Sequence, residues 1–102
     1  MTSTTPEKNG RPRIVIVEDD AAIAEGLALN LKLQSYEPEI VGDGERALTV
    51  IGERPPDLVL LDISLPKMTG LEVLERMRQG GSTAAVIVLS ARQDEFDKVA
   101  AL

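Results

Sequence analysis

Three continuous runs of Ile, Val and Leu dominate the hydrophobic pattern of the chain. They cover residues 14–17, 58–61 and 86–89, and a polar residue follows each run directly. Short apolar runs without alternation are typical of strands that are buried on both faces of a sheet. The pattern therefore predicts three buried strands whose carboxyl ends are polar.

Between and after these runs, apolar residues recur at the three- and four-residue spacing of an amphipathic helix. Four segments show this spacing: 21–34, 44–53, 70–79 and 93–102. In the first segment, Ile23, Leu27 and Leu31 form one stripe, and Ala24 and Ala28 form another. The residues expected to face inward in the next two helices are Ala47, Leu48, Ile51, Leu71, Leu74 and Met77.

A weaker strand is predicted over residues 37–41, and Pro38 assigns it to an edge of the sheet because proline cannot donate a ladder hydrogen bond. Strands and helices then alternate from residue 13 to residue 102. Such alternation implies right-handed βαβ units. The predicted fold is α/β, a doubly wound parallel sheet with helices on both faces.

Composition limits the chemistry that the chain can perform. There are no cysteines and no histidines, which excludes thiolate and imidazole chemistry. The 17 acidic and 11 basic residues give a net charge of -6, so this segment is not expected to bind nucleic acid. Residues 1–12 lack an apolar signal region and are expected to be a disordered tail before one domain over 13–102. No apolar stretch could span a bilayer, so a cytoplasmic location without membrane contact is expected.

The polar residues at the strand ends are the candidate site. Glu18, Asp19 and Asp20 follow the first run, Asp62 follows the second and Ser90 follows the third. Ligands bind at the carboxyl edge of such sheets, where converging carboxylates would favour Mg²⁺. A carboxylate beside Mg²⁺ can attack phosphorus. Individually, these residues have plainer interpretations: Asp20 as a helix cap, Glu18 as a solvated edge residue and Ser90 as a hydroxyl that bonds backbone.

Three motifs resemble those of response-regulator receiver domains from bacterial two-component systems. They are Val-Glu-Asp-Asp at 17–20, Leu-Leu-Asp-Ile-Ser-Leu-Pro-Lys-Met-Thr-Gly at 60–70 and Val-Leu-Ser-Ala-Arg at 88–92. The middle motif is specific, with a strand-end Asp, a Pro four residues later and a Gly eight residues later. The resemblance covers residues 13–102 and implies a flavodoxin-like receiver fold.

The resemblance also implies a role for each matching residue. Asp62 is similar to the phosphoacceptor, and Ser90 to the switch hydroxyl that turns toward the phosphoryl group. Asp19 and Asp20 are similar to the acidic pair that holds Mg²⁺ together with Asp62 and the backbone carbonyl of Ser64. Pro66 and Gly70 are expected to shape the loop, and residues 67–69 to form loop surface.

As a function, the resemblance implies a signalling switch for transcription control rather than an enzyme. A sensor histidine kinase would supply the phosphoryl group, which the chain would receive through its own Asp62. The last motif is similar to the subgroup with a winged-helix output domain. DNA binding would then belong to a C-terminal domain absent from this chain.

The resemblance departs from the family pattern at the C-terminus. Family members continue into a fifth strand, which ends in a Lys, and a fifth helix, whereas this chain ends at Leu102. The family's strand order is 2-1-3-4-5, so the resemblance implies the order 2-1-3-4 for this chain, in an incomplete receiver domain. Because the fifth strand and its Lys are missing, an alternative function is a non-phosphorylated module that forms a homodimer or binds a partner through the exposed fourth strand. A phosphatase-type enzyme is disfavoured, because such enzymes place a second Asp where Ser64 stands.

Overall fold

The computed structural model describes residues 10–65 and 67–89, in which strands and helices alternate as predicted. The elements are β1 (Arg13–Val17), α1 (Ala21–Leu33), β2 (Glu37–Val41), α2 (Gly44–Glu53), β3 (Leu58–Asp62), α3 (Gly70–Gln79) and β4 (Ala85–Leu89). Pro66, Ser90 and the helix predicted over 93–102 lie outside the described residues. Within those residues, no helix combines the length and the apolar character that crossing a bilayer requires.

The four strands form one parallel sheet with the predicted order β2-β1-β3-β4. At its carboxyl edge Val17 pairs with Val41 on one side and Leu61 on the other. β2 takes the edge position that Pro38 predicts. Because the strands are parallel and in register, the residues that follow β1 and β3 meet at one edge of the sheet.

Helices cover both faces of the sheet. α2 and α3 pack on one face through Ala47, Ile51, Val73 and Met77. On the other face α1 packs through Ala24 and Ala28. Ile23, which begins the second predicted stripe of this helix, is 39% exposed. The alanine stripe therefore faces the sheet.

The inward face of α3 differs from the prediction at Leu71, whereas Met77 is buried and Leu74 packs against the core as expected. Leu71 is 55% exposed, whereas Val73 is fully buried. Met68, expected at the loop surface, is 5% exposed and packs in the core. Thr69 caps α3, whose buried residues are Gly70, Val73 and Met77. The face of α3 that packs on the sheet thus leaves Leu71 outward.

At the amino edge of the sheet, hydrogen bonds join β1 to its neighbours around the buried Arg13. The Arg13 amide donates to Asp57 Oδ2 over 2.8 Å, and the Asp57 amide donates to the Arg13 carbonyl over 2.9 Å. The Arg13 guanidinium donates to the Arg54 carbonyl and pairs with the Glu39 carboxylate. These contacts satisfy the polar groups of a side chain that is only 7% exposed.

β4 differs from β1 and β3 in its burial. Ala85 and Ile87 pair with Leu58 and Leu60, so their side chains lie on the α1 side of the sheet. Ile87 is 50% exposed there. The third apolar run is thus a strand, but in the described part of the chain it is only partly covered.

Candidate functional site

Three carboxylates meet at the carboxyl edge of the sheet. Oxygen atoms of Glu18, Asp19 and Asp62 all lie within 4.8 Å of one another. Glu18 and Asp62 are 3% and 2% exposed, whereas Asp19 is exposed. The register creates this acidic cluster, because Val17 and Leu61 are partners, Glu18 and Asp62 follow them directly, and Asp19 comes next.

Glu18 is a buried member of the cluster, so its interpretation as a solvated edge residue is wrong. Its amide donates to the Val41 carbonyl over 3.0 Å, which extends the contact of β1 with β2 by one residue. Burial raises the pKa of the Glu18 carboxyl from 4.5 to about 7. The hydrogen bond from the Asp20 amide acts in the opposite direction, while the charges of Asp62 and Asp19 raise the pKa further.

Asp20 serves as the N-cap of α1, as its plainer interpretation predicts. Its Oδ1 accepts a hydrogen bond from the Ile23 amide over 3.1 Å, and its side chain lies at an exposed position. The carboxylates that the structure brings together with Asp62 thus differ from the predicted pair of Asp19 and Asp20, and the role of Asp20 as a metal ligand stays a prediction. The two residues beside Asp62 are Glu18 and Asp19, because the chain continues along β2 through Glu18 and begins α1 only after Asp20.

Asp62 lies at the last position of β3, where its carboxylate is held by the following turn. Its Oδ1 accepts a hydrogen bond from the Ser64 amide over 3.0 Å. The role predicted for the Ser64 carbonyl as a metal ligand stays a prediction. Asp62 pairs with Leu89 of β4, so Ser90 follows the neighbouring strand directly. Ser90 lies outside the described residues, and its role as a switch hydroxyl also stays a prediction.

Gly70 allows α3 to begin against the end of β3. A Cβ atom at this position would lie 2.4 Å from the Asp62 carbonyl oxygen and 2.8 Å from the Ile63 Cα. Both atoms belong to the backbone, so neither can move aside cheaply. The glycine eight residues after Asp62 is therefore required by close packing behind the cluster, as expected for a residue that shapes this loop.

Thr69 and Lys67 lie in the segment between Asp62 and α3. The Thr69 hydroxyl accepts a hydrogen bond from the Glu72 amide over 3.2 Å and so caps α3. Lys67 is exposed and has a positive φ of 66°, an unusual conformation for a residue with a side chain. Sequence reasoning included Glu18 among the strand-end carboxylates, but the family resemblance assigned the metal-binding pair to Asp19 and Asp20 instead.

Known proteins share this arrangement of sequence and fold. The profile of the response regulator receiver domain family matches residues 14–102. The chain is 41% identical over 92 residues to the DNA-binding response regulator MtrA of Mycolicibacterium paratuberculosis, a match that covers 90% of this chain and 40% of that protein. It is 44% identical over 89 residues to the transcriptional regulatory protein KdpE of Mycobacterium tuberculosis, covering 87% of this chain and 39% of that protein.

Solved structures agree with these relatives. The response regulator protein TrrA of Thermotoga maritima, in complex with Mg²⁺-BeF, matches with a TM-score of 0.76 at 36% identity, over 82% of this chain and 73% of that chain. The CheY-like receiver domain from Methylobacillus flagellatus matches with a TM-score of 0.78 at 26% identity, over 90% and 80% of the two chains.

The chain spans about 40% of the length of the curated relatives that it matches. The family profile, by contrast, covers nearly all of it from the first residues of β1 onward. Sequence, sheet order and acidic edge point to the same conclusion. The chain belongs to the response regulator receiver domain family.

Proposed function

We propose that the chain accepts a phosphoryl group on Asp62 from a sensor histidine kinase and thereby acts as a signalling switch. One observation supports this most directly. The buried Asp62 carboxylate lies within 4.8 Å of the Glu18 and Asp19 carboxylates at the carboxyl edge of the sheet. A parallel α/β sheet binds its ligands at this edge.

The donor set fits a magnesium ion. The three clustered carboxylates, two of which are nearly inaccessible to solvent, repel one another, and the raised pKa of Glu18 reflects burial together with this repulsion. Glu18, Asp19 and Asp62 would hold Mg²⁺, with the Ser64 carbonyl as a further oxygen ligand. When bound, Mg²⁺ supplies positive charge that offsets the negative charge of the phosphoryl oxygens. The similar protein TrrA was solved with Mg²⁺-BeF, which supports this choice of metal.

Asp62 is suited to act as the nucleophile. The Ser64 amide holds Asp62 Oδ1, which fixes the orientation of the carboxylate. A carboxylate oxygen of Asp62 forms a bond to phosphorus while the bond from phosphorus to the donor's histidine nitrogen breaks, and that nitrogen keeps the electron pair. The transfer yields an aspartyl phosphate without turnover of a separate substrate, so we regard the chain as a phosphoryl acceptor rather than an enzyme.

The experiment that tests this proposal is intact-mass measurement after incubation with Mg²⁺ and acetyl phosphate. We expect the wild-type chain to gain the mass of one phosphoryl group and Asp62→Asn to gain none. Asp43→Asn is the matched control, because Asn caps a helix as well as Asp does and Asp43 caps α2 without belonging to the acidic cluster. Equal labelling of Asp62→Asn would overturn the assignment.

The output of the switch is proposed from the relatives. MtrA is described as a DNA-binding response regulator and KdpE as a transcriptional regulatory protein, and both are more than twice the length of the matched segment. We propose that this chain controls transcription through a further DNA-binding segment. A second candidate, a homodimerising or partner-binding module, is favoured by the half-exposed Ile87 on β4.

A further inference from the structure

A cavity of about 570 Å³ lies at the opposite end of the molecule from the acidic cluster. It opens between the carboxyl ends of α2 and α3, beside the residues that lead into β3 and β4. Its volume lies within the range of roughly 300–1,000 Å³ that is usual for small-molecule sites. Neither the phosphoryl chemistry proposed above nor its residues involve this cavity.

The floor of the cavity is apolar. Ile51, Met77 and Ala84 line it and are 3%, 3% and 9% exposed. All three belong to the core between the sheet and the helices α2 and α3. An apolar group that binds in the cavity would therefore move from water onto the apolar surface of the core, which is favourable.

The rim of the cavity is polar but carries no net charge. Arg76 and Asp57 contribute one charge of each sign, and Ser82 contributes a hydroxyl. Arg76 pairs with Glu72 over 3.5 Å, and both side chains are about half exposed, so this pair is weak. The Ser82 hydroxyl accepts from the Ala84 amide over 3.3 Å and retains its own proton to donate. The rim thus offers donors and acceptors to an uncharged polar group.

Glycines keep the cavity open. Gly52, Gly80 and Gly81 line it, and a Cβ atom at Gly52 or Gly81 would meet no atom within 4 Å. Gly52 lies in the last turn of α2, where alanine would favour the helix more. The free space at Gly52 therefore permits a larger side chain to fill the cavity without a clash against the surrounding protein.

We propose that this cavity binds one small, uncharged and mostly apolar organic molecule with a single hydrogen-bonding group, such as an aromatic alcohol or amide. Its apolar body would contact Ile51, Met77 and Ala84. Its polar group would reach the rim at Asp57, Arg76 or Ser82. A charged ligand is disfavoured, because its charge would lose water against the apolar floor and the rim has no net charge to compensate for that loss.

The test is titration of the ¹⁵N-labelled chain with 2-phenylethanol, followed by the amide signals in NMR spectra. Phenylacetate and phenethylamine serve as the charged counterparts. We expect saturable shifts at Gly52, Gly80 and Gly81 with 2-phenylethanol, and at least about tenfold weaker binding of either charged probe. Tighter binding of a charged probe would overturn the ligand class.

Two helical glycine variants make the test specific. Gly52→Phe should fill the cavity and abolish the shifts. Gly26→Phe is the matched control, because Gly26 in α1 also has no atom within 4 Å of a built Cβ, and it should bind as wild type does. The dispersion of the amide signals verifies that each variant is folded. Shifts that persist in Gly52→Phe, that centre on Ala85 and Ile87, or that never saturate would refute the proposal.

Discussion

Glu18 is the residue in which burial and charge conflict most clearly. The residue is 3% exposed, and the pKa of its carboxyl is raised from 4.5 to about 7 by burial and, to a smaller extent, by the neighbouring carboxylates. Between these two pH values the folded chain binds a proton that the unfolded chain releases. The contribution of Glu18 to stability is therefore greatest below pH 4.5 and is lost as the pH rises to about 7.

Replacing Glu18 should remove this pH dependence. In buffer without divalent cations, we expect Glu18→Gln to raise the free energy of unfolding at pH 8 by on the order of 1–2 kcal/mol and to change it little at pH 4.5. Urea denaturation at both pH values measures the difference. Glu25→Gln on the exposed face of α1 is the control and should have no such effect. A uniform gain at both pH values would contradict the electrostatic explanation.

Gly70 is constrained by sterics instead of charge. A Cβ atom would lie 2.4 Å from the Asp62 carbonyl oxygen, so Gly70→Ala must push α3 away from β3. We expect a loss of about 2–3 kcal/mol in the free energy of unfolding. Gly26→Ala, with open space around it, should instead gain up to about 1 kcal/mol. Thermal denaturation compares the two, and equal stability of both variants would contradict the observed contact.

Asp62 could be predicted from the sequence, because it alone follows the second apolar run and the spacing to Pro66 and Gly70 is specific. The sequence could not show whether Glu18 or Asp20 would lie beside Asp62. Three acidic residues follow β1 in succession, and which of them turns toward Asp62 depends on where α1 begins. The backbone of Glu18 still bonds to β2, a contact between distant segments that no local pattern encodes.

Among the elements, the three described helices all begin at a side-chain cap. Asp20, Asp43 and Thr69 accept hydrogen bonds from amides three residues later. The caps fix where each of these helices begins, whereas packing against the sheet determines which face is buried. In α3 the buried face carries Val73 and not Leu71.

The capping role separates Asp20 from its neighbour Asp19. Asn caps as well as Asp does, so we expect Asp20→Asn to keep wild-type stability, Mg²⁺ binding and labelling by acetyl phosphate. Asp19→Asn removes a member of the acidic cluster and should weaken Mg²⁺ binding at least about tenfold. The Mg²⁺ dependence of the melting temperature measures both. If both variants weakened Mg²⁺ binding equally, Asp20 would have to be counted as part of the metal site.

At the scale of the whole molecule, the two faces of the sheet are covered unequally in the described part of the chain. α2 and α3 bury one face, whereas α1 leaves Ile87 of β4 half exposed on the other. The order of the strands was predictable only through the family resemblance, since alternating patterns predict a parallel sheet but not which strands are neighbours. The burial of β4 was not predictable from its apolar run, because burial depends on what covers the strand.

This partly covered strand should make the chain associate with itself. We expect the sedimentation coefficient to rise with protein concentration and Ile87→Lys to abolish the rise, because an edge charge opposes strand pairing. Leu33→Lys is the control, since Leu33 is 72% exposed but lies at the end of α1. A single species at every concentration of the wild-type chain would contradict self-association through β4.

The reciprocal hydrogen bonds between Arg13 and Asp57 have a consequence for how the sheet opens. They close one end of β1 with satisfied polar groups, while the other end lies beside Asp62 and leads into Glu18 and Asp19, so that three mutually repelling carboxylates meet there. Hydrogen–deuterium exchange, corrected for intrinsic rates, should therefore show slower exchange at the Arg13 and Asp57 amides than at Glu18 and Ile63. The sheet would fray from its acidic end, so a change of charge there would first alter how often the strand ends open locally.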